Sequence, residues 1–184
     1  MGILPLDRAR WPFIALIASA VMLATAQAVE TFLHFAPCQM CWWQRYVYWT
    51  AAAVALISIA ANWRGARPQL MVGMCALLGL IFLTGAGIAV WHSLVEWKLV
   101  PALNGCVASG KIDDGGDLWS KLGQPIAVAS CSEAPFRILG LSMAGWNAIA
   151  SLGLAAASFF AASRPMRTDT ANEPMKAEFG EETA

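Results

Sequence analysis

The stretch Pro37-Cys38-Gln39-Met40-Cys41-Trp42-Trp43-Gln44-Arg45 decides how this chain is read. It lies between two long apolar runs, where a membrane meets water. A helix beginning near Cys41 puts Cys38 and Cys41, three residues apart, within reach of a disulfide in one turn. Arg45 follows Cys41 by four residues and so shares its helical face, one turn deeper. A helix N-terminus and a nearby guanidinium both favour a thiolate. A cation in the first turn opposes the helix dipole, and near hydrocarbon it demands an anionic or polar partner. The pattern points to redox chemistry. The plain alternative is a packing disulfide, with Arg45 snorkelling to the headgroups.

Of the 184 residues, 58% are hydrophobic and only 13% charged. Soluble domains carry about 25% charged residues, so the composition is that of a membrane protein. The formal net charge is zero, which argues against a nucleic-acid partner. The nine tryptophans cluster near the ends of apolar runs, as interfacial anchors do.

Four spans are expected, at about 11–30, 42–63, 69–91 and 141–162, forming one membrane domain over 1–163. Arg8 and Arg10 precede the first, and Ala26-Gln27-Ala28 resembles a signal-peptidase site. A cleaved signal peptide therefore competes. The run is longer than the roughly 7–15 residues of such a segment, which favours a retained span. Glu30, near the end of that run, reads as a solvated carboxylate. Gly73, Gly79, Gly85 and Gly87 in the third run are small enough for close helix approach. His92 closes this run. The loops are 31–41 and 92–137, and in the second the cluster Asp113-Asp114-Gly115-Gly116-Asp117 is solvated. Leu118-Trp119-Ser120-Lys121-Leu122 is a candidate for a short surface helix. The tail, 164–184, is polar, acidic and expected to be disordered. The expected fold is thus an all-α membrane protein, a four-transmembrane-helix bundle with two loops on one side.

Basic residues set the orientation. Arg8, Arg10, Arg64, Arg67, Arg164, Arg167 and Lys176 fall on one side, against Lys98, Lys111, Lys121 and Arg137 on the other. By the positive-inside rule both termini are cytoplasmic and both loops face outward, where disulfides persist. Cys38, Cys41, Cys106 and Cys131 then share that side. Chain proximity favours Cys38 with Cys41 and Cys106 with Cys131, but four cysteines allow three pairings and the sequence alone does not choose. Two pairs on one face suit relay by thiol–disulfide exchange better than structural stapling, since a four-helix bundle in lipid already satisfies its backbone. Cys75, deep in the third run, is a small apolar filler. His92 emerges at the depth of Arg45 and is placed either to hydrogen-bond a ligand carbonyl or to pass a proton.

Oxidising a dithiol releases two electrons and two protons. The chain carries no dinucleotide fingerprint, haem motif or iron–sulfur pattern. It also lacks the spacing of a zinc site around Cys38, Cys41 and His92, so no metal is expected. A lipid-soluble quinone needs no such motif and can reach Cys41 and Arg45 from the bilayer, with Arg45 stabilising a developing oxyanion.

These residues resemble the DsbB family of bacterial disulfide bond formation proteins. The resemblance rests on the Pro37–Arg45 stretch just quoted and on Trp91-His92 ahead of Cys106. It continues with Cys131-Ser132-Glu133, the run Phe136-Arg137-Ile138-Leu139-Gly140-Leu141-Ser142-Met143, and Trp146. It implies an inner-membrane, quinone-dependent thiol oxidase that recharges a periplasmic thioredoxin-fold oxidase of the DsbA kind. It further implies disulfides Cys106–Cys131 and Cys38–Cys41. The partner attacks the first at Cys106, Cys131 exchanges with Cys38, and Cys41 is freed against ubiquinone or menaquinone. Arg45 would stabilise the thiolate–quinone pair and His92 would line the site. Ala144 stands where the family pattern has proline, and Gln39-Met40 would tune the potential of the first pair. The alternatives are a vitamin K epoxide reductase-like enzyme, in which the membrane-proximal CxxC follows the loop cysteines instead of preceding them, and a paralogue dedicated to one partner.

Overall fold

The computed structural model describes residues 7–34, 37–101, 131–132, 134 and 137–164. Cys106, the Asp113–Asp117 cluster, the candidate surface helix at 118–122 and the tail beyond Arg164 lie outside the described residues.

Four helices are long and apolar enough to cross a membrane: α1 (Trp11–Leu33), α2 (Gln39–Trp63), α3 (Pro68–Glu96) and α4 (Met143–Ser163). The chain is an all-α membrane protein, as expected. Each start has a local cause. Pro12 occupies the first turn of α1, where its missing N–H costs nothing, and Pro68 does the same for α3. Ser142 caps α4, its Oγ accepting from the Gly145 N–H at 3.2 Å. Between α2 and α3 the Ala66 N–H donates to the Ala61 carbonyl and the Gly65 N–H to that of Asn62, a Schellman turn. That turn needs a left-handed residue, and Gly65 supplies it at φ 73°.

Several boundaries differ from the sequence expectation. Helix α1 runs on to Leu33, past the expected end near 30, so Glu30 lies within the helix and not at its edge. Helix α2 begins at Gln39 rather than near Cys41, which makes Cys38 its cap. Helix α3 continues past His92 to Glu96. Ahead of α4 a two-residue antiparallel pair forms, β1 (Arg137–Ile138) with β2 (Leu141–Ser142). Leu139 and Gly140 turn it at φ 53° and 82°, the left-handed pair a tight hairpin requires.

The bundle core is built from small side chains around a few large ones: Ala15, Ala51, Ala55, Ala155 and Ala161 with Trp11, Tyr48, Leu78 and Phe82. Large apolar residues such as Ile17, Val21, Leu56, Leu80, Ile149 and Leu152 point outward, as lipid-facing positions should. Two of the four glycines in α3 sit at close approaches. A Cβ on Gly79 would lie 2.9 Å from the Phe159 ring, and one on Gly85 2.9 Å from Val47 Cγ1, whereas Gly73 and Gly87 face open space. Trp11 departs from the interfacial role expected of tryptophans. It is buried, and its indole N–H donates to Ser158 Oγ at 3.0 Å. Cys75 is fully buried in the core, in keeping with a filler.

Candidate functional site

The start of α2, the end of α3 and the segment around Cys131 converge at one end of the bundle. Cys38, Met40, Val95 and Cys131 form a second buried apolar cluster there, with Cys41 and Val100 packed on it. Cys38 exists in this position because it caps α2: its Sγ accepts from the Cys41 backbone N–H at 3.3 Å. The two sulfurs of the pair are 2.9 Å apart.

Three candidate site atoms meet at Cys38. The sulfurs of Cys38 and Cys131 and a ring nitrogen of His92 all lie within 4.8 Å of one another, and all three residues are buried. Cys38, Cys41 and Cys75 are free thiols, while Cys131 is disulfide-bonded. A disulfide sulfur is a poor metal ligand but is the electrophile that a thiolate attacks. The juxtaposition therefore suits exchange between Cys38 and Cys131. Cys38 is also the thiol best prepared to ionise. The hydrogen bond with the Cys41 thiol, followed by His92, holds it well below the usual thiol range against the opposing effect of burial.

His92, expected to emerge where the third run ends, is instead buried within the bundle. It is only 5% exposed, with Nε2 3.7 Å from Cys38 Sγ and 3.7 Å from Glu96 Oε1, while Nδ1 lies 3.0 Å from Gln44 Nε2. Gln44 leads into a buried polar chain: Asn147 Nδ2 donates to Gln44 Oε1, and Tyr48 Oη donates to Asn147 Oδ1. Glu96, Asn147, Gln44 and Tyr48 were not singled out from the sequence. Polar residues in apolar runs were the available signal, because lipid exposes no such group without a partner.

Arg45 does have the anionic partner its position demanded. Nη1 donates to Glu30 Oε2 at 2.6 Å and Nη2 to the Ala26 carbonyl at 3.1 Å. Its guanidinium lies 5.0 Å from the centre of the Trp42 ring. Glu30 is thus the counter-ion of Arg45 and not a freely solvated carboxylate. Arg45 reaches across to α1, whereas His92 touches Cys38, so the contacts place these two expected ligand-binding residues on different neighbours. Cys41, one turn before Arg45, is only partly buried.

A buried thiol thus lies beside a disulfide-bonded cysteine at one end of a four-span bundle. The family model described as Disulfide bond formation protein DsbB matches residues 8–161. The chain belongs to the DsbB family. Among its relatives, a Disulfide bond formation protein B of Marinobacter nauticus is 30% identical over 145 residues, covering 76% of this chain and 83% of that protein. A second protein of that name, from Xanthomonas campestris pv. campestris, is 28% identical over 159 residues, covering 83% and 91%. A third, from Dechloromonas aromatica, is 29% identical over 140 residues. No solved structure matches the chain. Membership in the DsbB family makes this a multi-pass membrane oxidoreductase of disulfide bond formation. It also decides against the vitamin K epoxide reductase alternative.

Proposed function

We propose that this DsbB-family protein reoxidises a periplasmic thioredoxin-fold oxidase of the DsbA kind and passes the electrons to a membrane quinone, ubiquinone or menaquinone. The inner membrane, with both termini cytoplasmic, is the location this requires. The observation that carries the proposal is the meeting of Cys38 and Cys131 sulfurs within 4.8 Å of one another beside His92.

The partner dithiol attacks a Cys106–Cys131 disulfide at Cys106 and leaves oxidised, so two electrons and two protons enter the chain. The Cys131 thiolate then attacks Cys38 of the Cys38–Cys41 disulfide. A Cys38–Cys131 bond forms and the Cys38–Cys41 bond breaks, releasing Cys41 as the thiolate. Closure of Cys106 on Cys131 expels Cys38 and completes the transfer of the electron pair. His92, whose Nε2 lies 3.7 Å from Cys38 Sγ, donates a hydrogen bond to the leaving thiolate.

Cys41 and Arg45 fit a quinone. Cys41 is partly exposed at the end of α2, and Arg45 and the Trp42 ring, in contact with each other, offer a cation and an aromatic face. The quinone supplies a two-electron, two-proton acceptor. Arg45 would hold a carbonyl oxygen, and its pairing with Glu30 keeps the guanidinium charge compensated within the helix end.

Purified protein mixed with a reduced DsbA-type oxidase and a soluble quinone should reduce the quinone, and Cys41→Ser should abolish turnover. Absence of quinone reduction, or rates untouched by Cys41→Ser, defeats the proposal.

A further inference from the structure

The chain of amides behind His92 has a direction, and that direction bears on Cys38. His92 Nε2 faces two acceptors, Cys38 Sγ and Glu96 Oε1, each at 3.7 Å. A bare nitrogen lone pair aimed at a thiolate and a carboxylate would be repelled by both, so the hydrogen belongs on Nε2. Nδ1 must then accept, and the group facing it is the Gln44 amide nitrogen at 3.0 Å. That leaves Gln44 Oε1 to accept from Asn147 Nδ2, and Asn147 Oδ1 to accept from Tyr48 Oη. Ser151 Oγ, 2.9 Å from Tyr48 Oη, closes the row on α4. Every link has one donor and one acceptor, and Gln44, Tyr48, His92, Asn147 and Ser151 are all buried.

We propose that Gln44 and Asn147, backed by Tyr48, are positioning residues that hold His92 in its Nε2–H tautomer, so that the ring presents a donor to Cys38. This rests on the relay reading of the site. They act through the ring and touch no reacting atom. The alternative row, with both amides turned over, would put the hydrogen on Nδ1 and remove the donor from Cys38. Among the described residues, the titratable side chains around this point are Cys41 on α2 and His92 and Glu96 on α3, with the disulfide-bonded Cys131 alongside. On α4 the groups facing it, Asn147 and Ser151, do not titrate. Glu96 Oε2 is buried and has no hydrogen-bond partner among the described residues, which leaves Glu96 to share the His92 hydrogen through Oε1.

The tautomer can be read directly in the intact protein. The chain has two histidines, His34 and His92, so histidine-selective 15N labelling with His34→Gln leaves one ring. With the Cys38–Cys41 pair reduced, Nε2 should carry the proton and Nδ1 none; a protonated Nδ1 on a neutral ring overturns the proposal. Gln44→Glu should invert the tautomer, because a carboxylate at that place accepts from Nδ1–H, and an unchanged tautomer counts against it. Gln44→Leu should move the pH midpoint of Cys38 alkylation up by about one unit, a roughly tenfold slowing on the acid side of the profile. In a His92→Phe background the same substitution should have no further effect; equal slowing in both backgrounds rules out action through the ring. None of these readouts involves quinone, so failure of the relay leaves them interpretable.

Discussion

Arg45 on α2 and Glu30 on α1 form an ion pair of 2.6 Å at the end of the bundle where Cys38 and Cys41 lie. The arginine side chain is 11% exposed and the glutamate 33%. Removing one member of such a half-buried pair leaves the other charge without its partner. Glu30→Gln should therefore destabilise the protein by about 1–2 kcal/mol, discounted for the exposure of Glu30. Thermal unfolding in detergent checks this, and no change in midpoint would show that the pair is solvated.

Arg45→Met should raise the KM for quinone about tenfold or more while Cys38 still exchanges with Cys131, the loss of a charge-assisted contact of roughly 1.5–3 kcal/mol. The split is measured by steady-state quinone titration alongside quantification of the Cys38–Cys131 disulfide. If exchange fails before quinone use does, Arg45 has a different task.

Substitution of Cys41 by serine leaves Cys38 with Cys131 as its sulfur neighbour. Oxidised Cys41→Ser protein should then accumulate a Cys38–Cys131 disulfide, seen in peptide maps under non-reducing conditions. Its absence would contradict the observed convergence of these two sulfurs.

The lowered Cys38 thiol also makes a statement about pH. Below the ordinary thiol range the folded, reduced protein binds fewer protons than the unfolded chain, so unfolding takes up protons. The Cys38 contribution to stability of the reduced form should therefore rise with pH from the depressed value up to about 8.5. Falling pH removes the contribution as the folded-state thiolate is protonated. His92→Gln should shorten that window from its acid end and reduce the total gain, since His92 is one of the groups holding Cys38 down. Denaturant titrations of reduced protein between pH 5 and 8.5 test the sign.

Two glycine substitutions in α3 should differ although each Cβ meets an atom at 2.9 Å. At Gly79 the obstacle is the outer edge of the Phe159 ring, on a partly lipid-exposed side chain that can swing away. At Gly85 it is a γ-methyl of Val47, and a β-branched side chain in a helix has one strongly preferred rotamer. Gly85→Ala should cost about 1–3 kcal/mol, partly offset by the roughly 1 kcal/mol gained in helix propensity. Gly79→Ala should be near neutral, and Gly73→Ala, facing open space, stabilising. Relative unfolding midpoints in one detergent rank the three.

Apolar run length and the scarcity of charge were enough to establish from the sequence that four helices cross a membrane, because hydrocarbon thickness and backbone satisfaction leave few other solutions. The spacing Pro37 to Arg45 likewise marked Cys38 and Cys41 as a pair at the start of a helix, and the cost of an arginine beside lipid demanded an anionic partner for Arg45. Which residue answers that demand was settled only by packing. Glu30 lies fifteen positions earlier, on another helix, and in the sequence alone it looks like any carboxylate near a helix end. The same holds for His92: α3 outlasts its charge-free run by one turn, carrying the ring into the interior beside Cys38, and Gln44, Asn147 and Tyr48 acquire meaning only from their neighbours. Periodicity reports which faces of a helix are apolar. It does not report how helices rotate against one another, and here that rotation determines which polar atoms meet.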